Sequence, residues 1–151
     1  MEQRLRLEQV APDALKAMLH LEQYVRSGVD HTLLELIKLR ASVLNGCAYC
    51  IDMHSTDALR AGESVRRLFG VAAWRESPFF SESERAALAL TDAVTNIGVA
   101  GVPDDVWNDA RKVWSEKELA DIVMAIITIN AWNRLAITMR TSPPPEPPPA
   151  R

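Results

Sequence analysis

Apolar side chains recur three and four positions apart along most of the chain, which is the spacing of one face of an α-helix. Two of the expected helix starts carry a capping-box pattern, Ser81 with Glu84 and Ser115 with Glu118. The pattern predicts an all-α, single-domain antiparallel bundle. Its helices are expected at about 12–28, 31–44, 47–61, 64–74, 81–97, 104–114 and 115–139.

Composition narrows the class of protein. The chain has 151 residues, of which 48% are apolar and 25% charged, enough for one buried core. A formal net charge of −3 argues against a nucleic-acid-binding surface and against electrostatic attachment to a membrane. The first ten residues lack the apolar core of a signal peptide, and the longest strongly apolar stretch, 122–129, is too short to cross a bilayer. We therefore expect a cytoplasmic protein without nucleic-acid or membrane partners.

The end of the chain has a different character from the rest. Segment 141–151 is rich in proline, which lacks a backbone donor and fixes φ, so it cannot continue a helix. The sequence predicts a helical domain over 1–140, with its reactive residues in a core at about 33–62, and a disordered tail over 141–151.

Both cysteines lie in the segment 33–62. Cys47 and Cys50 are three positions apart, so on a helix they share one side and come within reach of a disulfide. Asn45-Gly46 places Cys47 near a helix start, where the helix dipole stabilises a thiolate. In a cytoplasmic protein this spacing indicates redox or metal chemistry. Two cysteines packed as small apolar residues are an equally good interpretation of this pair alone.

Two acid–base residues accompany the pair. His54 follows Cys50 by four positions, so its ring can exchange a proton with that thiol, although a hydrogen-bonded core histidine is the alternative. Glu35 lies one helix earlier among apolar neighbours, which favours burial over a surface ion pair with Lys38. Burial is expected to raise the pKa of Glu35 toward that of a general base. A fold at Asn45-Gly46 would bring Glu35 toward His54.

Other polar and aromatic residues carry weaker assignments. His20 and His31 have no recognisable companions and are expected to be ordinary residues. Tyr49 is interpreted as a core or interface aromatic, or as a hydroxyl in a proton chain. The polar break in the last helix at 129–134 favours a subunit interface or a satisfied core network over a pocket wall. Core positions are expected for the tryptophans, Trp74, Trp107, Trp114 and Trp132.

The spacing of Glu35, Cys47, Cys50 and His54, continued by Ala58 and Gly62, resembles the AhpD-like (alkyl hydroperoxidase D) branch of the carboxymuconolactone decarboxylase superfamily. The resemblance covers about 33–62, and the flanking segments, including 129–137, are similar to single-domain members of about this length. It implies an all-helical protein that assembles into dimers, trimers or hexamers. It also implies a thiol peroxidase that needs no haem, metal or other cofactor.

The resemblance further implies a role for each matching residue. Cys50 attacks the hydroperoxide and Cys47 resolves the product, while Glu35 and His54 relay the proton. An external dithiol, of lipoyl or thioredoxin type, reduces the resulting disulfide. Tyr49 departs from the family, whose best-studied type has a histidine before the second cysteine; because tyrosine is a poor base at neutral pH, a shorter relay is expected. The decarboxylase that names the superfamily lacks the cysteine pair, which argues against that reaction.

Two alternatives remain open at the level of sequence. The first is a non-enzymatic oligomeric binding protein or sensor that keeps the cysteines as a redox switch. The second is a zinc-binding module that uses Cys47, Cys50, His54 and Glu35, although three ligands from one helix are unusual for a structural zinc site. The high apolar fraction on a small helical chain also predicts a homo-oligomer to which the last helix contributes.

Overall fold

The computed structural model describes residues 2–145 and shows a helical bundle in one domain. The predicted tail falls largely outside this range: residues 141–145 are not helical, and 146–151 lie outside the described residues. The helices are α1 Leu7–Val10, α2 Pro12–Gly28, α3 His31–Asn45, α4 Ala48–Arg60, α5 Val65–Gly70, α6 Glu82–Thr95, α7 Asp104–Val113 and α8 Glu116–Met139, with a 3₁₀ turn at Val71–Ala73 after α5.

Local sequence signals explain most of these boundaries. The Asp30 side chain accepts a hydrogen bond from the backbone of Leu33 at 3.1 Å and so caps the start of α3. Both predicted capping boxes form, at the starts of α6 and α8. Gly46 ends α3 in the left-handed region, with φ of 68°, where a residue with a Cβ is strained. This glycine turns the chain from α3 directly into α4.

Helix α3 lies at the centre of the bundle and packs against α4, α6 and α8. Its face toward α8 joins one core cluster, and its face toward α4 joins a second. Since nearly every position from Leu33 to Leu39 is buried, α3 has no solvent-facing stripe over this stretch. The expected burial of Glu35 is therefore confirmed. The two clusters centre on Leu34, Ile37, Ile122, Ile126, Leu36, Val71 and Leu88.

Some expectations from the pattern are wrong in detail. The short helix α1 was not predicted, and α6 ends at Thr95, two residues before the expected Ile97. Trp107 is 39% exposed rather than part of the core, because it lies on the outer side of α7. The spacing on the last helix also predicts one buried stripe of Leu119, Ile122, Ile126 and Ile137, but Ile137 is about half exposed.

The last helix has the predicted extent, but its apolar window is longer than the stretch 122–129 considered from the sequence. Its 24 residues include a window with a mean hydropathy of 1.4, so by length and composition alone it could cross a membrane. In the structure α8 instead packs against α2, α3 and α6. Buried Asp121, Asn130 and Asn133 interrupt its apolar surface and bond within the protein. These contacts are those of the core helix of a bundle.

A partly buried ion cluster around Asp92 joins α3 and α6 to the 3₁₀ turn. Asp92 accepts hydrogen bonds from Arg40 at 2.6 and 3.2 Å, from Trp74 at 3.1 Å and from Arg75 at 3.1 Å. Arg40 also donates to the carbonyl oxygen of Ala72 at 2.9 Å. Both oxygens of this carboxylate are thus bound by charged or ring donors, which is how a buried charge is retained without a large desolvation penalty.

Candidate active site

The turn at Gly46 brings the two predicted acid–base residues together. Glu35 on α3 and His54 on α4 are 19 positions apart, and Nδ1 of His54 lies 2.8 Å from Oε2 of Glu35. Both side chains are almost fully buried, at 1% and 2% exposure. Because this carboxylate is ionised, Nδ1 carries the hydrogen and donates it. Nε2 is then the ring nitrogen left for chemistry in the adjacent cleft.

The cysteines lie at the first turn of α4. Cys47 is the N-cap residue of α4 and has an extended backbone. It therefore stands just before the helix, whereas the sequence predicted it within the helix. Its Sγ accepts a hydrogen bond from the backbone N–H of Cys50 at 3.4 Å. The two Sγ atoms are 2.7 Å apart, and both residues are buried. The thiols are placed to share a proton and to exchange it directly.

The close contact moves the pKa values of the two thiols in opposite directions. The hydrogen bond from Cys50 lowers the pKa of Cys47 to about 7, although burial opposes this shift. The same contact with Cys47, together with burial, raises the pKa of Cys50. Such values belong to the pair: its first proton leaves more easily than that of a free cysteine and its second is held tightly. With its first pKa at about 7, the pair is partly ionised at neutral pH and carries at most one negative charge.

Glu35 does not have the raised pKa that its burial predicted. Desolvation by burial does raise it, but the hydrogen bond and charge of His54, with the more distant charges of Lys38 and Arg26, outweigh that effect, and the net pKa is lowered. The expectation of a carboxyl group with a raised pKa is thus wrong in the state in which His54 is charged. Glu35 there is a carboxylate that orients and stabilises an imidazolium.

A second carboxylate organises the charges beside this pair. Glu22 on α2 accepts hydrogen bonds from Lys38, from Arg26 at 2.6 Å and from the ring of Trp132 at 3.2 Å. Lys38 is fully buried, so its ammonium depends on this contact. The surface ion pair between Glu35 and Lys38 considered from the sequence does not form, because Lys38 turns to α2 instead.

The polar break in α8 is a hydrogen-bond network behind the cysteines. Asn133 donates to Ser42 at 3.0 Å and accepts from Asn45 at 2.9 Å, while Asn45 also donates to Asn130 at 3.0 Å. Asn133 lowers the pKa of both thiols by hydrogen bonding. The interpretation of this segment as a satisfied core network is confirmed for Asn130 and Asn133, and the network ties α8 to the end of α3. Trp132 of the same segment lines a cleft, so the pocket-wall alternative also holds in part.

A cleft of about 680 Å³ opens beside the pair, a size that suits an organic molecule. Cys50, His54 and Tyr49 line it, whereas Cys47 does not. Segment 3–8 forms one side and is held by the backbone N–H of Arg4, which donates to the carbonyl oxygen of Met139 at 2.9 Å. The rest of the wall is mostly apolar, with Leu15, Leu19, Met53, Trp132, Leu135, Ala136 and Met139.

All four residues singled out by the sequence thus meet at one place, and several neighbours were missed. The pairing of Glu22 with Lys38 gave no sequence signal, because an ion pair between separate helices has no local spacing. Arg26 follows Glu22 by four positions on α2, which is the spacing of an ion pair on one helix. His31, expected to be ordinary, lies 3.9 Å from Glu35. Its position one turn before Glu35 on the same helix was the signal that could have marked it.

The geometry does not favour the zinc alternative. Within residues 2–145, no group of three or more histidine, cysteine, aspartate or glutamate side chains is arranged to hold a metal ion. The Glu35 carboxylate engages His54 through the ring nitrogen Nδ1, and the two sulfur atoms engage each other.

Comparison with known proteins identifies the family. The profile of the carboxymuconolactone decarboxylase family matches residues 12–93. The chain belongs to this family. YdfG, an uncharacterized protein of Bacillus subtilis strain 168, is 41% identical over 140 residues, which cover 92% of this chain and 95% of YdfG.

Solved structures place this family member in the AhpD-like branch. ATU0492 of Agrobacterium tumefaciens, a protein of unknown function proposed to be the antioxidant defence protein AhpD, superposes with a TM-score of 0.93. It is 43% identical, and the match covers 96% of this chain and all of that one. The debrominase Bmp8, at 24% identity and a TM-score of 0.79, covers 88% of this chain and 72% of its own; it shares the fold.

Proposed function

We propose that this AhpD-like protein is a thiol peroxidase that reduces organic hydroperoxides through Cys50 and Cys47. The observation that carries the proposal is the division of the pair about the cleft. Cys50 and His54 line the cleft, while Cys47 stands behind Cys50 in direct contact. A substrate in the cleft meets one sulfur atom and a proton donor together, and the second sulfur atom is already in place to resolve the product.

The oxidative steps balance with the groups present. The Cys50 thiolate attacks one peroxide oxygen, the O–O bond breaks, and the leaving alkoxide takes a proton from Nε2 of His54 to become an alcohol. Cys50 is now a sulfenic acid. The Cys47 sulfur attacks it, giving a disulfide and water. An external dithiol then reduces the disulfide by exchange and is itself oxidised.

The lowered pKa of Cys47 and the exposure of Cys50 to the cleft point to different sulfur atoms. Because the two sulfur atoms are 2.7 Å apart, moving the shared proton from Cys50 to Cys47 transfers the charge from one to the other. His54 then stabilises the thiolate on Cys50. The pair therefore ionises as a unit, and the sulfur atom that meets the peroxide reacts.

Assembly and location complete the proposal. We propose a homo-oligomer, because Ile127 and Ile137 on α8 and Leu19 on α2 are each nearly half exposed in the single chain. Light scattering at micromolar concentration tests this, and a monomer would contradict it. AhpD-like relatives and the packing of α8 within the bundle support a cytoplasmic protein.

Thiol counting with a peroxide and a panel of dithiol donors tests the function. Reduced protein mixed with tert-butyl hydroperoxide is expected to lose two thiols per peroxide consumed and to turn over repeatedly with at least one lipoyl-type or thioredoxin-type donor. Loss of two thiols without turnover by any donor favours the redox-sensor alternative. Absence of peroxide-dependent thiol loss contradicts the peroxidase.

A further inference from the structure

The carboxylate of Glu35 has its two oxygens in different environments. Oε2 accepts from His54, which lines the large cleft. Oε1 is buried and has no hydrogen-bond partner within residues 2–145. Glu35 also lines a separate small cavity of about 20 Å³, together with Thr32, Glu63 and His31, whose Nε2 is 3.9 Å from Oε1. Glu35 therefore stands between two cavities, and it does not line the cleft.

The small cavity suits one water molecule. A water needs roughly 10–15 Å³ of such space and two or more polar partners. Oε1 of Glu35 and Nε2 of His31 are 3.9 Å apart, too far for a direct hydrogen bond and a separation that one water can bridge. His31 is about half exposed, so its ring also contacts bulk solvent. A buried polar atom without a partner is rare, and a bridging water accounts for it.

The proposed reaction changes the charge beside Glu35. When Nε2 of His54 gives its proton to the alkoxide, the imidazolium becomes neutral and a nearly fully buried carboxylate loses its adjacent positive charge. Lys38 and Arg26 are bonded to Glu22, so they act on Glu35 from a greater distance. A buried charge that has lost its close partner is costly, and a proton on Glu35 removes that cost.

Resting on the proposed peroxidase function, we propose that His31 and one water in the small cavity form a proton path between Glu35 and solvent, separate from the substrate cleft. As His54 is discharged, the His31 imidazolium gives a proton through the water to Oε1. Glu35 becomes a neutral acid, His31 becomes neutral, and solvent protonates His31 again. When the reduced cysteine pair next gives a proton to His54, Glu35 releases its proton through the water to His31 and solvent.

The charged groups around Glu35 agree with this direction of transfer. His54 faces it from α4, His31 lies one turn earlier on α3, and Glu63 lines the same small cavity from the segment after α4. Glu63 is bound to Arg67 at 3.0 Å, so its carboxylate is already engaged in an ion pair. An imidazole ring can both accept and donate a proton, so His31 is the group in this cavity suited to pass one between the water and solvent.

The substitution His31→Gln tests the path, with His20→Gln on the exposed face of α2 as the matched control. Single-turnover thiol loss with tert-butyl hydroperoxide is expected to slow about tenfold in dilute buffer, less than the ~10²-fold or larger effect of removing a direct acid–base group. Imidazole added to His31→Ala should restore the rate, which a merely structural role does not explain. The control should match the unsubstituted protein. A rate unchanged in His31→Gln, or unaffected by imidazole in His31→Ala, overturns the path.

A second measurement separates this inference from the peroxidase itself. Exchange of the His54 Nδ1–H with solvent, followed by NMR in the reduced protein, is expected to slow in His31→Gln, because Nδ1 faces Glu35 and not the cleft. Slowed exchange in a protein that does not react with peroxide supports the path and contradicts the peroxidase. Normal exchange in a protein that reduces peroxide contradicts the path and leaves the peroxidase standing.

Discussion

Two carboxylates, the partly buried Asp92 and the almost fully buried Glu35, differ in how the surrounding protein stabilises their charge. Asp92 has both oxygens bound, by the guanidinium groups of Arg40 and Arg75 and by the ring N–H of Trp74. Glu35 has one oxygen bound to a histidine and one without a partner in the described part of the chain. Asp92 is 14% exposed and Glu35 1%, so the more deeply buried carboxylate is the less fully bonded.

The hydrogen-bond partners of Asp92 and Glu35 differ in chemical type as well as in number. Arginine stays charged at all working pH values, so the Asp92 cluster holds a fixed charge and fixes the position of three segments. A histidine ring, unlike a guanidinium group, can release its proton, and the neighbouring cysteine pair shares one, so the surroundings of Glu35 have more than one charge state. A carboxylate saturated by permanent donors stabilises structure, and one left with titratable neighbours is available for proton transfer.

The largest expected effect concerns the cysteines themselves. Cys50→Ser should abolish reaction with peroxide, because the sulfur atom that lines the cleft is removed. Cys47→Ser should still react once and leave a sulfenic acid on Cys50, which a sulfenate-trapping reagent labels and mass spectrometry locates. A trapped sulfenate on Cys47 in the Cys50→Ser protein would reverse the assignment and favour the sulfur atom with the lowered pKa.

Removal of the relay should slow chemistry and leave the cysteines able to pair. His54→Ala takes away the group that protonates the leaving alkoxide, so peroxide-dependent thiol loss should fall by about 10²–10⁴-fold. In Glu35→Gln the rate of thiol loss should fall less, because the His54 ring stays in place beside a neutral amide. A strong oxidant such as diamide should still form the disulfide in both variants. Unchanged peroxide rates in His54→Ala would remove His54 from the mechanism.

Substitution in the Asp92 cluster should lower the stability of the protein and leave its peroxide rate unchanged. Asp92→Ala leaves Arg40 without its carboxylate partner, and the free energy of unfolding in urea should fall by about 3 kcal/mol. The peroxide rate per folded molecule should stay unchanged, because none of the residues that line the cleft contacts Asp92. A variant that lost activity while keeping its stability would break the contrast between the two carboxylates.

The pH dependence of the peroxide reaction should report the shared proton. The pKa of Cys47 is lowered to about 7, whereas a free cysteine titrates near pH 8.5. Since the thiolate is the deprotonated form, the rate of thiol loss should rise with pH, reach half its maximum near pH 7 and level off at higher pH. A midpoint near that of a free cysteine would show that the sulfur contact does not stabilise the anion.

The smallest effect is expected from the proline-rich tail. A chain ending at Thr141 should keep the melting temperature, the oligomeric state and the peroxide rate of the full chain, because the tail carries few side chains that could be buried in a core. Circular dichroism and light scattering measure the first two. Loss of solubility or of assembly in the shortened chain would assign the tail a structural role.

Sequence pattern predicted what is local. Features that depend on residues a few positions apart can be recognised from the sequence alone. They are the capping boxes at Ser81 and Ser115, the helix end at Gly46, and the spacing of Cys47, Cys50 and His54. The burial of Glu35 also followed from its apolar neighbours. The family resemblance, drawn from the same residues, is confirmed by the comparisons.

What could not be predicted depends on packing between helices. The sign of the Glu35 pKa shift is set by His54, Lys38 and Arg26 on three different helices, and burial alone predicts the wrong direction. The contact of Lys38 with Glu22 spans 16 positions and leaves no periodic trace. Trp107 is apolar and at helical spacing, yet its exposure is decided by how α7 lies on the bundle.

The walls of the cleft come from parts of the chain that take no part in the chemistry. Segments 3–8 and 135–141 supply much of its apolar lining, whereas the reactive groups stand on α3 and the start of α4. Mutations in these outer segments can reshape the cleft without moving a sulfur atom or a ring nitrogen. Evolution can therefore change the substrate specificity of such a protein without changing its reactive centre. Relatives that share the cysteines and their relay are free to differ in the molecules they accept.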